Sequence, residues 1–225
     1  MPRLDVWLVE KGKFSSRQAA KRAIKKGLVL VNGMECKPSS QVSENDIVEL
    51  LTTECDVPQG YWKLKELDER IQNKLVCDAS TALDIGSSAG GFLIYLAEKG
   101  VNTIGIEVSE RFAEELHSIV EQYHQISVIF DDAFNMDQTI IASEGQLGLL
   151  LVDVTTEPEG TLRLIEKFTP LLKKGGRMLA AFKTSHSLET STSLTNYLSQ
   201  LGYEQIQEII LDKTRREVHI TGIYT

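Results

Sequence analysis

Apolar positions along the first fifty residues come in short, differently spaced groups. Leu4, Leu8 and Val9, with Trp7 beside them, recur at helical spacing and stop near Gly12. In "SSRQAAKRAIKKG", Ser15 and Gln18 form a capping box, Ala19, Ala20, Ala23 and Ile24 make one apolar side, and Gly27 supplies a left-handed stop. "LVLVNGMECK" predicts a hairpin turning at Asn32-Gly33, and Asp46 to Leu50 a further strand. From about residue 80 the pattern becomes a regular alternation. "TALDIG", "TIGIEV", "ISVIF", "GLLLVDV" and "RMLAAFK" read as strands, and the stretches between them carry helical patterns, including a helix over "TLRLIEKFTPLLKKGG". A last helix, "SLETSTSLTNYLSQLG", leads to two strands separated by "KTRR" alone, so these form a hairpin whose final strand runs antiparallel. The pattern predicts an α/β fold: a doubly wound, mostly parallel seven-stranded sheet over residues 54–225, behind a small α+β domain over residues 1–53. Val57 to Arg70, "VPQGYWKLKELDER", shows no obvious core stripe and is neither a clean linker nor a clear amphipathic element.

Charge divides the chain at the same place. The net charge is −8, yet residues 1–53 hold nine Lys/Arg against six Asp/Glu, and the remainder fifteen against twenty-six. A basic end on an acidic body suggests a local docking module for a polyanion. Its positive side chains are Arg3 and a stripe on the second helix: Arg17, Lys21 and Lys25, widened by Arg22 and Lys26. No uncharged apolar run approaches the length of a membrane span, and the early charges argue against a signal peptide. Three scattered cysteines, Cys36, Cys55 and Cys77, read as reduced thiols in a cytoplasmic protein. The four histidines are scattered too, and no metal site is expected.

In doubly wound sheets, ligands bind beyond the carboxyl ends of the strands. The first strand ends in "LDIGSSAGGF", which places Asp84, Gly86, Ser87, Ser88, Gly90, Gly91 and Phe92 at that rim. A carboxylate there is unhelpful to a pyrophosphate but suits the sulfonium and ammonium of S-adenosylmethionine. Glu107, at the end of the second strand, is placed to accept ribose hydroxyls, and Asp132, after the third, to reach an adenine amino group. Asp153 closes the fourth strand, Lys183 the fifth, and Glu217 opens the last. Because that strand is antiparallel, its start returns to the same rim, beside Lys183 if the two strands pair. Singly, each is an ordinary strand-end polar residue.

From Arg3 to Leu50 the chain resembles the RNA-binding domain of the ribosomal-protein-S-four type, through "RLD", "GKFSSRQAAKRAIKKGLVLVNG" and "KPSSQVSENDIVEL". That resemblance implies RNA as partner, with the six basic residues facing phosphates, contacts that position without reading sequence. "YWKLKELDER", "LDIGSSAGGF", Asp153, Lys183 and Glu217 resemble the FtsJ-like family of RNA ribose 2′-O-methyltransferases, whose active site is a Lys-Asp-Lys-Glu tetrad. Lys63 of "YWKL" takes the place of the first lysine. The two parts together are similar to the TlyA family, also called haemolysins, which methylates ribosomal RNA. The resemblance implies S-adenosylmethionine as cofactor and Lys63, Asp153, Lys183 and Glu217 as catalytic residues. Lys183 is expected to receive or steer the 2′-hydroxyl proton, its pKa lowered by burial and by Lys63. "DVTTEPEG" and "KTSHSL" depart from the family's usual continuations at positions that shape the substrate pocket. Two other readings stay open: a catalytically silent RNA-binding or ribosome-assembly factor, and methylation of a base or a protein.

Overall fold

The computed structural model describes residues 1–14, 17–43, 45–51, 57–76, 79–184 and 188–225, with the side chains of 188–190 excepted. The chain divides into two compact units, Met1–Gln59 and Gly60–Thr225.

In the first unit, α1 (Leu4–Glu10) and α2 (Arg17–Lys25) lie with a three-stranded antiparallel sheet of order β2-β1-β3, made of β1 (Val29–Val31), β2 (Met34–Glu35) and β3 (Val48–Leu50). The apolar sides read from the sequence are the ones that close: Leu4 and Leu8 of α1 pack with Ala19, Ala20, Ala23 and Ile24 of α2 over Val29 and Val31. Each leucine buried here contributes about 1.5–3 kcal/mol. The hairpin turns at Asn32 and Gly33, both left-handed (φ 53° and 76°), the backbone a tight two-residue turn demands. Ser15 of the expected capping box lies outside the described residues, as do Cys55 and Cys77; Cys36 is a half-buried free thiol.

The second unit is built on a seven-stranded sheet of order β6-β5-β4-β7-β8-β10-β9. Its strands are β4 (Thr81–Ile85), β5 (Asn102–Glu107), β6 (Ile126–Phe130), β7 (Leu147–Val152), β8 (Leu172–Phe182), β9 (Tyr203–Ile209) and β10 (Val218–Tyr224). All pairings among β4 to β8 are parallel, and β10 lies antiparallel between β8 and β9. Five helices connect and cover it: α3 (Gln59–Arg70), α4 (Gly91–Glu98), α5 (Ala113–Gln122), α6 (Pro158–Phe168) and α7 (Leu188–Gln200).

Two sequence expectations change. The helix predicted over residues 161–176 stops at Phe168, because Pro170 cannot continue it, and a short 3₁₀ turn leads directly into the long strand β8. Residues 59–70, read as neither a clean linker nor a clear amphipathic element, form α3, whose Leu64 and Leu67 are completely buried against the sheet layer that includes Leu149, Leu151 and Leu179. The stripe is narrow because its next position is polar: Asp68 is fully buried, and its carboxylate accepts hydrogen bonds from Tyr95 Oη (2.8 Å) and the backbone N–H of Leu75 (2.9 Å). A satisfied buried acid holds the end of α3 where a leucine would have announced the helix.

Candidate active site

The glycine loop after β4 explains where Lys63 goes. Gly86 is left-handed (φ 90°), and a Cβ there would stand 2.4 Å from the backbone oxygen of Asp153. A Cβ on Gly91 would meet the backbone of Gly60 and Tyr61 at 2.5–2.8 Å. The missing side chains therefore let the loop touch the end of β7 on one side and the first turn of α3 on the other. Lys63 lies one turn further along α3.

Strand register supplies the rest. Val218 of β10 pairs with Phe182 of β8, so Glu217 and Lys183, each one residue outside its strand, continue the same antiparallel ladder. Asp153 follows the neighbouring β7. Lys63 Nζ lies 2.7 Å from Asp153 Oδ2 and 2.8 Å from Glu217 Oε1; Lys183 Nζ lies 2.9 Å from Asp153 Oδ1 and also donates to Glu217 Oε2. Two amines and two carboxylates thus alternate around a closed ring, each of the four 18–28 % exposed. The ring is electrically neutral and stands at the carboxyl rim of the sheet.

The electrostatics correct one expectation. Burial does push the Lys183 amine down, but Asp153 and Glu217 outweigh it and hold its pKa above the ordinary lysine value. Asp153 is driven up by burial, yet Lys63 and Lys183 keep it below the usual carboxylate range. Glu217 is depressed strongly, by His219, Lys183 and Lys63 in spite of burial. All three shifts favour the charged forms, so a neutral Lys183 is not the resting state of this ring.

The residues expected at the cofactor separate into three groups. Asp84 is fully buried, neither carboxylate oxygen has a hydrogen-bond partner, and burial, aided by Asp153 and Glu107, pushes its pKa up to about 7. Glu107 is also buried, but its oxygens accept the backbone N–H groups of Ser88 and Ser109, each at 2.7 Å, so it shapes the glycine loop as well as facing it. Asp132 is half-buried and braces its own turn by accepting from Phe134 N–H (2.9 Å) and Asn135 Nδ2 (2.6 Å). Gly90, like Gly86, is left-handed, and Ser88 shares that conformation (φ 50°). Two side chains fall away from the expected role. Ser87 turns inward and donates to the backbone oxygen of Asp84. Phe92 packs in the apolar layer with Leu64, Leu67 and Leu96, because the first turn of α4 faces α3.

Three features were missed. Val108 and Phe134, each one or two residues past a strand-end acid, are 70 % and 44 % exposed. They flank the Glu107 and Asp132 turns, and an apolar residue directly after such an acid was the available signal. Lys167 Nζ donates to the backbone oxygens of Ala133, Phe134 and Met136, fixing that second turn. Beyond Lys183, a cavity of about 500 Å³ is lined by Glu157, Pro158, Glu159, Leu162, Thr184, Ser193 and Leu194.

In the first unit, Arg3, Arg17 and Lys21 converge on the fully buried carboxylate of Asp5, at 3.0, 3.2 and 3.7 Å. Three of the six expected phosphate contacts are therefore held by one acid that sequence reasoning passed over. The Arg3 and Arg17 side chains remain about half exposed, Lys21 is 33 % exposed, and Lys25 and Lys26 are exposed further along the helix. No metal-binding cluster exists among the described residues, and no helix among them is long and apolar enough to cross a membrane.

Comparisons with known proteins find two family matches. Residues 2–48 match the S4 domain, and residues 57–207 match the FtsJ-like methyltransferase model. No curated protein matches this sequence. Among solved structures, a candidate hemolysin of Streptococcus thermophilus is 20 % identical, with a TM-score of 0.62, and the match covers 100 % of this chain and 88 % of that one. Aeropyrum pernix fibrillarin, solved with natively bound S-adenosyl-L-methionine, is 21 % identical over 80 % of each chain, with a TM-score of 0.61. The fibrillarin pre-rRNA processing protein of Methanococcus jannaschii is 20 % identical over 82 % of this chain and 81 % of that one, with a TM-score of 0.61.

Proposed function

Because the chain belongs to the FtsJ-like methyltransferase family, we propose that it methylates a ribose 2′-hydroxyl of RNA, with ribosomal RNA as the substrate. The observation that carries this reading is the closed Lys63–Asp153–Lys183–Glu217 ring at the strand rim. A base-methylating or silent relative has no need of two lysines held there by two acids.

The residues at the neighbouring rim fit S-adenosylmethionine, which supplies an electrophilic methyl group on a cationic sulfur. Asp84 is an unpaired buried carboxylate half ionised near neutrality, an arrangement that a bound cation relieves. Gly86, Ser88 and Gly90 are all left-handed and curve the backbone tightly at this rim. Glu107 and Asp132 retain lone pairs for hydroxyl and amino donors. Val108 and Phe134 offer apolar surface for a flat ring.

Lys183 remains an ammonium and donates a hydrogen bond to the incoming 2′-oxygen, which turns another lone pair towards the reacting carbon. Asp153 and Glu217 fix the Lys183 amine, and Lys63 fixes those carboxylates from the opposite side. The hydroxyl proton leaves late: as oxygen gains its new bond it becomes strongly acidic, and Asp153, a weak base, suffices to take it. A lysine free base is not required. The cavity past Thr184 is where the rest of the target nucleotide would lie, and residues 1–53, with Arg3, Arg17, Lys21, Arg22, Lys25 and Lys26, would dock the surrounding RNA by its backbone. Residues 54–225 would form the catalytic domain. The fibrillarin described as a pre-rRNA processing protein supports ribosomal RNA as the substrate class.

The test is transfer of labelled methyl groups to ribosomal subunits from cells lacking this protein, followed by digestion and nucleoside identification. Label on a 2′-O-methylnucleoside is expected. Label on a base or on protein, or none despite cofactor binding, would overturn the reading.

A further inference from the structure

One titratable side chain beneath the ring plays no part in the chemistry described above. His219 stands two residues after Glu217, on the same face of β10, between Ala181 of β8 and Ile209 of β9. It is 2 % exposed. Its Nε2 lies 3.2 Å from Glu217 Oε1, the oxygen that also receives Lys63 at 2.8 Å. Neither ring nitrogen makes an aligned hydrogen bond.

An imidazole carries at least one N–H in every protonation state. Burying that donor without a partner is destabilising, so an apolar residue would stabilise the layer better if packing alone mattered. The charged groups around it are Glu217 on its own strand, Lys63 from α3, Lys183 at the end of β8 and Asp153 at the end of β7. Only the carboxylates can accept. Asp153 gives one oxygen to each lysine, whereas Glu217 Oε1 is already at hydrogen-bonding distance from Nε2. A small swing of either side chain aligns the pair.

We propose that His219 is a positioning residue: its Nε2–H donates to Glu217 Oε1 and holds that carboxylate in the rotamer that bridges the two lysines. The inference rests on the ring being the catalytic site. It gives Glu217 a donor that substrate does not disturb. When Lys183 turns its remaining N–H to the 2′-hydroxyl, the ammonium reorients, and the imidazole beneath keeps the Glu217 carboxylate from following.

The experiment compares wild type with His219→Phe, which keeps ring volume without a donor, and His219→Gln, which restores an N–H at similar reach. For Phe, kcat should fall about tenfold, with KM for RNA and cofactor affinity within about twofold of wild type, the pattern of a group that acts only at the chemical step. Its Tm should not fall. Gln should recover most of the lost turnover. Independently of activity, ¹⁵N-correlated imidazole spectra should show the Nε2–H tautomer, with a resonance that moves in Glu217→Gln. Wild-type turnover in His219→Phe, or an Nδ1–H tautomer insensitive to Glu217, would overturn the proposal. Failure of the wild type to methylate any ribose would instead sink the catalytic reading, and the tautomer measurement would still decide whether His219 holds Glu217.

Discussion

A double-mutant cycle between Lys63 and Glu217 tests the geometry most quantitatively, because nothing local in sequence connects them. Two unit charges 2.8 Å apart attract by about 6 kcal/mol at an effective permittivity near 20. Most of that is offset, since both groups lose hydration and each keeps a second partner of opposite charge. Both side chains are also 18 % exposed, so solvent screens them in part. A net coupling of about 1–3 kcal/mol remains. Lys63→Met leaves two carboxylates sharing one amine, and Glu217→Gln leaves two amines sharing one carboxylate. Each single change should therefore cost about 2–4 kcal/mol, while the double variant returns to a neutral Lys183–Asp153 pair and costs clearly less than the sum. Urea unfolding followed by tryptophan fluorescence reads this directly, with Trp7 replaced by Phe so that Trp62 of α3 reports alone. Additivity within about 0.5 kcal/mol would show that the two residues do not meet, and the catalytic reading would fall with the ring.

Asp84 predicts a pH effect with a definite sign. Its pKa is raised to about 7, so near neutrality the free protein holds a proton that a cationic ligand expels. Affinity for S-adenosylmethionine should then rise about tenfold between pH 6 and 8, and Asp84→Asn should flatten the profile; calorimetry in buffers of different ionisation enthalpy measures the released proton. In the ligand-free protein the same group makes stability decline as pH rises from about 4 towards 7, because the unfolded carboxyl ionises first. Gly91→Ala should lower stability by about 1–3 kcal/mol and turnover by far more, since its Cβ would press on Gly60 and Tyr61 and shift the helix that carries Lys63. A normal kcat in that variant would show that loop and helix need not touch. Replacing Arg17 and Lys21 by Ala should weaken RNA binding and reduce the salt slope of log K by between about one and two, as measured by filter binding or anisotropy; an unchanged slope would remove α2 from the RNA contact.

Much of this was legible because the chemistry sits where strands end. Alternating patterns located the strands, and a polar residue closing an apolar run marked Asp84, Glu107, Asp153 and Lys183 in turn. Glu217 required one more step, the antiparallel sense of the last strand, which "KTRR" was too short to avoid. What stayed hidden had a common physical form: a polar group whose partner lies far away in sequence. Asp68 hid the stripe of α3, Asp5 is an acid inside a basic face, and His219 looks like one more strand residue until Glu217 stands beside it. The pKa of Lys183 was misjudged for a related reason. Burial and a like charge can be guessed from residue types, but the balance depends on two carboxylates at 2.9 Å and closer.

The central claim is that the ring performs the transfer. Single-turnover methylation by Lys183→Met, with cofactor affinity measured on the same protein, tests it most directly. The account predicts a rate lower by about a thousandfold or more with cofactor affinity within about twofold of wild type; methyl transfer at the wild-type rate would contradict it.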